Sequence, residues 1–473
     1  MVFSSYSFIF LFFPAAVLGY HLLRRTGRVA WVKLWLSAAS LVFYGMGQLD
    51  FLPWFALSIL LNYLIVRQLN RTSRPPHRRI WLLAAVVWNI GLLVYYKYFN
   101  FILQNLNWLF RLELPPIEVS LPIGISFFTF QILAFTVSFY RGECELPTFL
   151  DYTVFVTFFP QLIVGPVVRH EDVMPAIEGD RLLKFDASRV PKGVMLFSIG
   201  CAKKVLLADT MIQYASAFYG GDVSGFSFVE TWIAVLSYVF AYYFDFSGYI
   251  DMARGLGCFF GIELPINFDS PYRARDFSDF WRRWNITISR FFNETIFANI
   301  FGFGDGIFKL ILATLSTFLV SGLWHGAAWH YIFWGLANGV LVCISNIRAL
   351  QDRKPLPAGL AVFITFMGGV LARVLFDCTC MTQAVQVYQV MLDFRHLFHV
   401  RTLLGEAWAF VQGNPLLMLT LVVSAALCFC CPNSNELAER ERLGRKEAVA
   451  SAVLLALSLF NMSHVSTFLY FNF

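Results

Sequence analysis

Apolar residues run through this chain in long blocks separated by short polar breaks, and strict alternation is rare. The blocks predict helices near 6–23, 31–47, 50–66, 79–100, 119–140, 190–212 and 227–247, then 309–324, 329–347, 356–376, 412–431 and 448–470. Each is close to the roughly 20 residues that an α-helix needs to cross about 30 Å of hydrocarbon. Shorter apolar stretches near 152–168 and 252–268 carry Pro or Gly. They are expected to enter a bilayer without crossing it, where protein or water must satisfy the irregular backbone. The breaks at 67–79, 215–226, 348–356, 377–411 and 432–447 mark no separate soluble domain, so residues 1–473 read as a single membrane domain. The longest break holds Asp393, Arg395, His396, His399 and Arg401; it reads as a surface amphipathic element, and its histidines are not expected to bind metal.

The basic residues give these spans a direction. Arg24, Arg25, Arg28 and Lys33 fill the first break, and Arg67, Arg71, Arg74, Arg78 and Arg79 fill the third. The hairpin between them, 45–50, has no Lys or Arg. Both basic loops are therefore expected on the cytoplasmic side, with the N-terminus outside. Arg348, Arg353 and Lys354, and later Arg440, Arg442, Arg445 and Lys446, mark two further cytoplasmic connections. The first twenty residues lack a basic leader and a small-residue cleavage site, so they are expected to remain as the first span.

Composition agrees with a lipid solvent. Of 473 residues, 58% are hydrophobic and 14% charged, against roughly 25% charged in a soluble globule. The formal net charge of +6 is small and sits in short loops, which suits membrane orientation better than nucleic-acid binding. Nine cysteines show no metal-ligand spacing and read as ordinary buried thiols.

Two polar islands carry candidate chemistry. His325 lies within Leu319-Val320-Ser321-Gly322-Leu323-Trp324-His325-Gly326, and an ionisable group inside an apolar span is a functional-site hypothesis by default. Its imidazole can take a proton from an alcohol near neutral pH and return one to a leaving group, although a buried hydrogen-bonding role is the bland alternative. Gly322 and Gly326 would permit close helix packing or ligand approach. About forty residues earlier stands Asp279-Phe280-Trp281-Arg282-Arg283-Trp284-Asn285. The spacing predicts a helix N-capped by Ser278, with Phe277, Phe280, Trp281, Trp284 and Ile288 on one stripe. Two readings stay open: an interfacial helix anchored by Trp and Arg, or one wall of a reaction chamber. In the second, Asn285 orients an acyl carbonyl or hydroxyl, and Arg282, Arg283 and Arg290 bind an anionic ligand, with Arg282 and Arg283 as the phosphate contacts. His330 is not expected to pair with His325, and no metal is proposed. The run Tyr242, Tyr243, Asp245, Ser247, Tyr249, Asp251 suggests either a chamber lining or a hydrated rim. Gln161, Pro166, Arg169 and His170 suit a substrate path or a helix turn. Asp209 reads as a weak charge partner for Lys203 and Lys204, since i to i+5 and i+6 are poor helical spacings.

In order along nearly the whole chain stand Met1 to Ser5, Leu121-Pro122-Ile123-Gly124-Ile125-Ser126-Phe127-Phe128, Phe159-Pro160-Gln161-Leu162-Ile163-Val164-Gly165-Pro166, Asp245-Phe246-Ser247-Gly248-Tyr249, Asp279 to Trp284, Gly322 to Gly326 and Phe468 to Phe473. With these motifs the chain resembles the membrane-bound O-acyltransferase (MBOAT) family, nearest its bacterial alginate O-acetyltransferase branch. The resemblance implies an all-α polytopic membrane fold of about 11–12 spans, with re-entrant or interfacial helices and a central catalytic tunnel. His325 matches the family's catalytic histidine. Asn285 falls where this branch often has a second histidine, and other branches use Asn or Asp there; His330 falls where an Asn is common. The implied chemistry is acyl transfer from acetyl-CoA, a substrate and not a tightly bound cofactor, to hydroxyls of an extracytoplasmic polysaccharide. Alginate is the leading acceptor, ahead of cellulose or peptidoglycan, with D-alanylation of teichoic acid lower. The implied partners are periplasmic acetyltransferase and polysaccharide secretion proteins, and the implied site is the bacterial inner membrane. A transporter and a catalytically weakened scaffold for a secretion complex are the alternatives from other classes.

Overall fold

The structure, a computed structural model, describes all residues except 1, 303, 353, 441–443, 463–465, 467 and 470–473. Arg353, Arg442 and the last four residues of the aromatic ending therefore lie outside the described residues. Among those described, regular structure is helical, and the one β contact is an isolated antiparallel bridge between Phe268 and Trp284. Among the described residues, six helices are long and apolar enough to cross a membrane: Leu49–Arg71, Pro75–Phe110, Phe228–Cys258, Ile307–His325, Trp329–Leu350 and Ala358–Asp377. Phe8–Arg24, Val29–Gly45 and Ile125–Arg141 are apolar but shorter. The chain divides into two compact units interleaved in sequence: Met1–Cys201, Tyr249–Pro265 and Glu441–Met462 in the first, and Ala202–Gly248, Ile266–Arg440 and Ser463–Phe473 in the second.

The first unit packs its short helices through rings and a few buried polar ties. Phe3, Phe8, Phe43 and Phe159 form a cluster with centroid separations of 5.0–6.1 Å. Lys33 and Asp151, both buried, form an ion pair. Asn89 donates Nδ2 to Oδ1 of Asn62 at 2.7 Å, so each buried amide serves the other. The predicted 119–140 span starts late, because Gly124 takes a left-handed φ of 75° and the helix begins only at Ile125. Gln161 and Gln131 both donate to the Phe155 carbonyl, at 2.6 and 2.7 Å. That bond makes Gln161 a support for the turn after Phe149–Thr157.

In the second unit the predicted 190–212 span changes character at Lys203–Ala208, which is π-helical. A π-turn closes i→i+5 hydrogen bonds, and this lays Asp209 beside Lys204. Lys204 Nζ stands 2.9 Å from Asp209 Oδ1, 2.6 Å from Asp245 Oδ1 and 3.1 Å from Ser466 Oγ, with Lys204 fully buried. The pairing that looked weak at α-helical spacing is thus a central ion cluster. The polar-aromatic run 242–251 is also corrected: all six residues singled out there are buried, so they form no hydrated rim. The 252–268 stretch is not re-entrant over its first part, because the Phe228–Cys258 helix continues through it. Val400–Gly413 is a helix with exposed Leu404 and Trp408, bent by 101° from Pro415–Cys430.

The helices Ile307–His325 and Trp329–Leu350 form a close hairpin. A Cβ on Gly322 would overlap the Tyr331 carbonyl, and one on Gly335 would overlap the Phe318 carbonyl. This small-residue contact lets the backbones touch and fixes where the end of the first helix sits. Gly335→Ala should therefore destabilise the protein by about 1–3 kcal/mol, the range for overpacking a tight contact. Gly359→Ala, with open space around its Cβ, should leave stability unchanged. Thermal unfolding in detergent checks both, and equal midpoints for the two variants would remove this contact as the determinant.

Candidate active site

The predicted continuous helix through 277–288 is broken, and the break builds the site. Asp276, not Ser278, caps the first piece, its Oδ1 accepting from the Asp279 N–H at 2.8 Å. The helix Phe277–Arg283 ends at Trp284, Asn285 turns left-handed at φ 45° and ψ 55°, and a second helix runs Ile286–Phe292. Asn tolerates this conformation better than other non-glycine residues because its short side chain can bond locally. The stripe of rings is therefore split: Trp284 turns to stack on Tyr242 and meets Phe268 edge-on at 5.1 Å. Ser278 Oγ instead donates to Asn346 Oδ1 at 2.6 Å, and the Phe277 N–H donates to Ser345 Oγ at 3.1 Å. These two bonds pin the first piece to the end of Trp329–Leu350.

Asn267 holds the break together. Its carbonyl accepts the Ile286 N–H at 3.0 Å, and its Oδ1 accepts from both the N–H and the hydroxyl of Thr287 at 3.0 Å. A backbone N–H can only donate, which fixes the amide orientation. Asn267 Nδ2 then donates to Asn285 Oδ1 at 3.0 Å. Asn285 has spent its oxygen on Asn267, so the group it offers elsewhere is the Nδ2 donor. Asn267 is itself tied in place, since Asn435 donates to the Phe268 carbonyl at 2.7 Å and Asn433 donates to Asp269 and Ser270 at 2.9 Å each.

His325 is the last residue of Ile307–His325, and the chain leaves it in an extended conformation at Gly326. The ring is buried among Trp324, Trp334 and Phe376, at centroid distances of 4.4, 4.8 and 4.9 Å. A Cβ at Gly326 would overlap the Tyr331 ring, so this glycine gives close approach at the turn and not an unusual φ. His330 lies beyond the turn on the next helix, its Nδ1 3.0 Å from the Leu375 carbonyl. It ties that helix to Ala358–Asp377.

One cavity of about 500 Å³ brings Asn285 and His325 together. Its wall follows Ile307–His325 from Thr314 to His325, about 16 Å at 1.5 Å per residue. Arg282 and Arg290 border it, as do Ser278 and Asn346. Arg283 is not among its lining residues. Its Nε lies 2.9 Å from Asp279 Oδ1 and its Nη1 3.6 Å from Asp269 Oδ2, an arrangement that closes the loop before the site. Arg290, read from the sequence with Arg282 and Arg283 as a cation for head groups or an anionic ligand, does line the cavity. Asn267, Trp334 and Phe376 escaped the sequence reading, and no local signal marks them.

The Asn285 assignment is testable. Asn285→Asp keeps an acceptor for Asn267 but turns a carboxylate oxygen toward the cavity in place of a donor. Activity should fall by about 10²-fold, as for loss of one preorganised donor, with the thermal midpoint little changed. Asn267→Leu should cost about 1–3 kcal/mol of stability and so lower the midpoint itself, because buried donors lose their acceptor. Equal stability of Asn267→Leu and wild type would contradict its role as the knot.

Comparison with known proteins fits this geometry. The sequence model of the membrane-bound O-acyltransferase family, MBOAT, matches residues 36–355. The chain is 34% identical to the peptidoglycan O-acetyltransferase of Helicobacter pylori, over all of this chain and 98% of that protein. It is 33% identical to a Pseudomonas aeruginosa protein named "Probable alginate O-acetylase AlgI", over 83% of this chain and 75% of the other. It is 27% identical to the teichoic acid D-alanyltransferase of Streptococcus thermophilus, over 63% of this chain and 81% of that one. A chain with a buried histidine facing a large cavity among apolar helices, matched over most of its length, belongs to the membrane-bound O-acyltransferase family.

Proposed function

We propose that this acyltransferase moves acetyl groups from acetyl-CoA, on the cytoplasmic side of a bacterial inner membrane, to hydroxyls of an extracytoplasmic glycan. The observation that carries the reading is the shared cavity: a buried imidazole and an amide donor border one chamber that also has two arginines on its wall. The positive-inside pattern supports the direction. Asn346, on that wall, lies next to the basic 348–354 connection, while His325 sits at the far end of the cavity.

In the transfer, His325 takes the proton of the acceptor hydroxyl as its oxygen bonds to the thioester carbonyl carbon. The carbonyl oxygen gains negative charge, which the Nδ2 donor of Asn285 stabilises. The carbon–sulfur bond then breaks, and His325 returns its proton to the departing sulfur. One histidine thus performs both proton steps, and Asn285 needs no titratable group. Arg282 and Arg290 are the cations on the cavity wall that the donor's phosphates would meet, and Arg283 lies off that wall beside Asp279 and Asp269.

Among acceptors, end-to-end similarity to a peptidoglycan O-acetyltransferase favours peptidoglycan. Alginate ranks second, on relatives that share 83% of this chain. We also propose that a periplasmic acetyltransferase and secretion proteins receive or relay the group where the glycan does not reach the cavity itself. Membranes carrying the chain, given labelled acetyl-CoA with each glycan, should form base-labile ester on peptidoglycan. His325→Ala should lower that label by about 10²–10⁴-fold, the usual worth of a general base. Label on alginate alone would replace the acceptor, and full activity in His325→Ala would remove the histidine from the chemistry.

A further inference from the structure

Arg373 is a cation inside the apolar Ala358–Asp377 helix, about one turn before its end. An ionisable side chain in such a place is expensive and is a functional candidate by default. Its partner is Asp377, whose Oδ1 accepts from Arg373 Nε at 2.7 Å. The Asp377 side chain is fully buried and that of Arg373 is 12% exposed. A buried ion pair is a poor source of stability, because apolar residues of similar volume often do as well or better. Asp377 also stands at the C-terminal end of its helix, where a carboxylate opposes the helix dipole. Nor is the pair the bidentate one that binds most strongly. Arg373 Nη2 and Asp377 Oδ2, both buried, have no hydrogen-bond partner among the described residues. Helix stability therefore does not explain this pair.

The rings around the guanidinium point to another role. Its carbon lies 3.5 Å from the Tyr242 ring centroid and 4.1 Å from that of Phe376. Those two rings meet edge-on, 5.5 Å apart at 76°, so the cation fills the corner between them. Each ring leads to one half of the site. Phe376 packs edge-on against His325 at 4.9 Å and against Trp334 at 5.0 Å. Tyr242 stacks on Trp284 at 6.2 Å and 11°, and Trp284 immediately precedes the left-handed Asn285. A cation is drawn to the face of a ring, most strongly where water is excluded. The backbone that carries Arg373 is itself held, because Tyr388 Oη donates to the Leu371 carbonyl at 2.6 Å and His330 Nδ1 lies 3.0 Å from the Leu375 carbonyl. The guanidinium is a fixed point on which both rings rest.

We propose that Arg373 is a positioning residue for the transfer: seated between Tyr242 and Phe376, it sets the place of the His325 imidazole relative to the Asn285 amide. The inference rests on the acyl-transfer reading above, in which a base and a donor converge on one carbonyl. Arg373, Tyr242 and Phe376 are not among the residues lining the large cavity, so the effect passes through rings and not through contact with the acyl donor. Rate and binding are thereby separated. A reacting group misplaced by about 1 Å costs about 10²-fold in rate, while the surfaces that hold the donor stay as they are. Asp377 supplies the countercharge that lets the cation remain buried. A lysine would keep the charge but not the plane that lies against the rings.

The test is steady-state transfer of labelled acetyl from acetyl-CoA to the glycan that wild type labels, by membranes carrying the full chain. Activity is taken per folded protein, and thermal unfolding in detergent is followed for each variant. Arg373→Met combined with Asp377→Leu removes the pair without stranding a charge. Its kcat should fall by about 10²-fold, with KM for acetyl-CoA within about twofold of wild type and the midpoint little changed. Arg373→Lys keeps Asp377 paired, so it serves even if the double variant does not fold, and should lower kcat by about tenfold through loss of the planar contact. In a Phe376→Leu background, Arg373→Lys should cost less than about twofold more, because the ring it acts through is gone. A kcat equal to wild type in Arg373→Lys would overturn the positioning role, and so would a raised KM with kcat unchanged. Losses that multiply in the Phe376→Leu background would overturn the route through that ring. If wild type transfers no acetyl, the enzymatic reading falls and takes this one with it; if wild type transfers acetyl and the Arg373 variants match it, only the positioning role falls.

Discussion

A broken backbone in an apolar protein must find its hydrogen bonds inside the protein, and one amide does most of that for this site. Asn267 satisfies the Ile286 N–H, the Thr287 N–H, the Thr287 hydroxyl and the side-chain oxygen of Asn285. Without it, the left-handed turn at Asn285 would expose backbone donors where water is scarce. With it, the two short helices can diverge, and the cavity opens between them and Ile307–His325. The orientation of Asn285 follows from the same knot, so the chemistry of the site is set by a residue that does not line it.

The second half of the site is positioned by contact rather than by hydrogen bonds. The glycines at 322 and 335 bring two backbones together, and the extended turn at Gly326 ends the first helix with His325 facing inward. Trp324, Trp334 and Phe376 then enclose the imidazole. A ring held by aromatic walls has few orientations, which suits a group that must meet a hydroxyl and later a sulfur. Phe376 in turn is held under the guanidinium of Arg373, so the ion pair with Asp377 is coupled to the histidine through one ring.

How much of this was legible in the sequence depends on the range of the interaction. The helical membrane class followed from apolar run lengths, and His325 stood out because an ionisable group in such a run is conspicuous. Arg373 carried the same signal, a cation inside an apolar stretch, and the sequence reading left it unused. The break at Asn285 was invisible, because three- and four-residue spacing of rings continues across it and a left-handed Asn leaves no mark in periodicity. Asn267 acts from 18 residues away, beyond any local window. Lys204 and Asp209 were discounted by α-helical spacing, and the π-turn that joins them is a tertiary outcome. Arg283 looked equivalent to Arg282 in sequence, yet Asp269 and Asp279 claim it.

The central claim is that His325 is the base of an acetyl transfer to a cell-surface glycan. Its most direct test is the acetyl ester content of purified cell-wall glycan from cells lacking this chain, after complementation with wild type or His325→Gln at matched membrane abundance. The account predicts that wild type restores the ester and that His325→Gln leaves it at background. Equal restoration by both would contradict it.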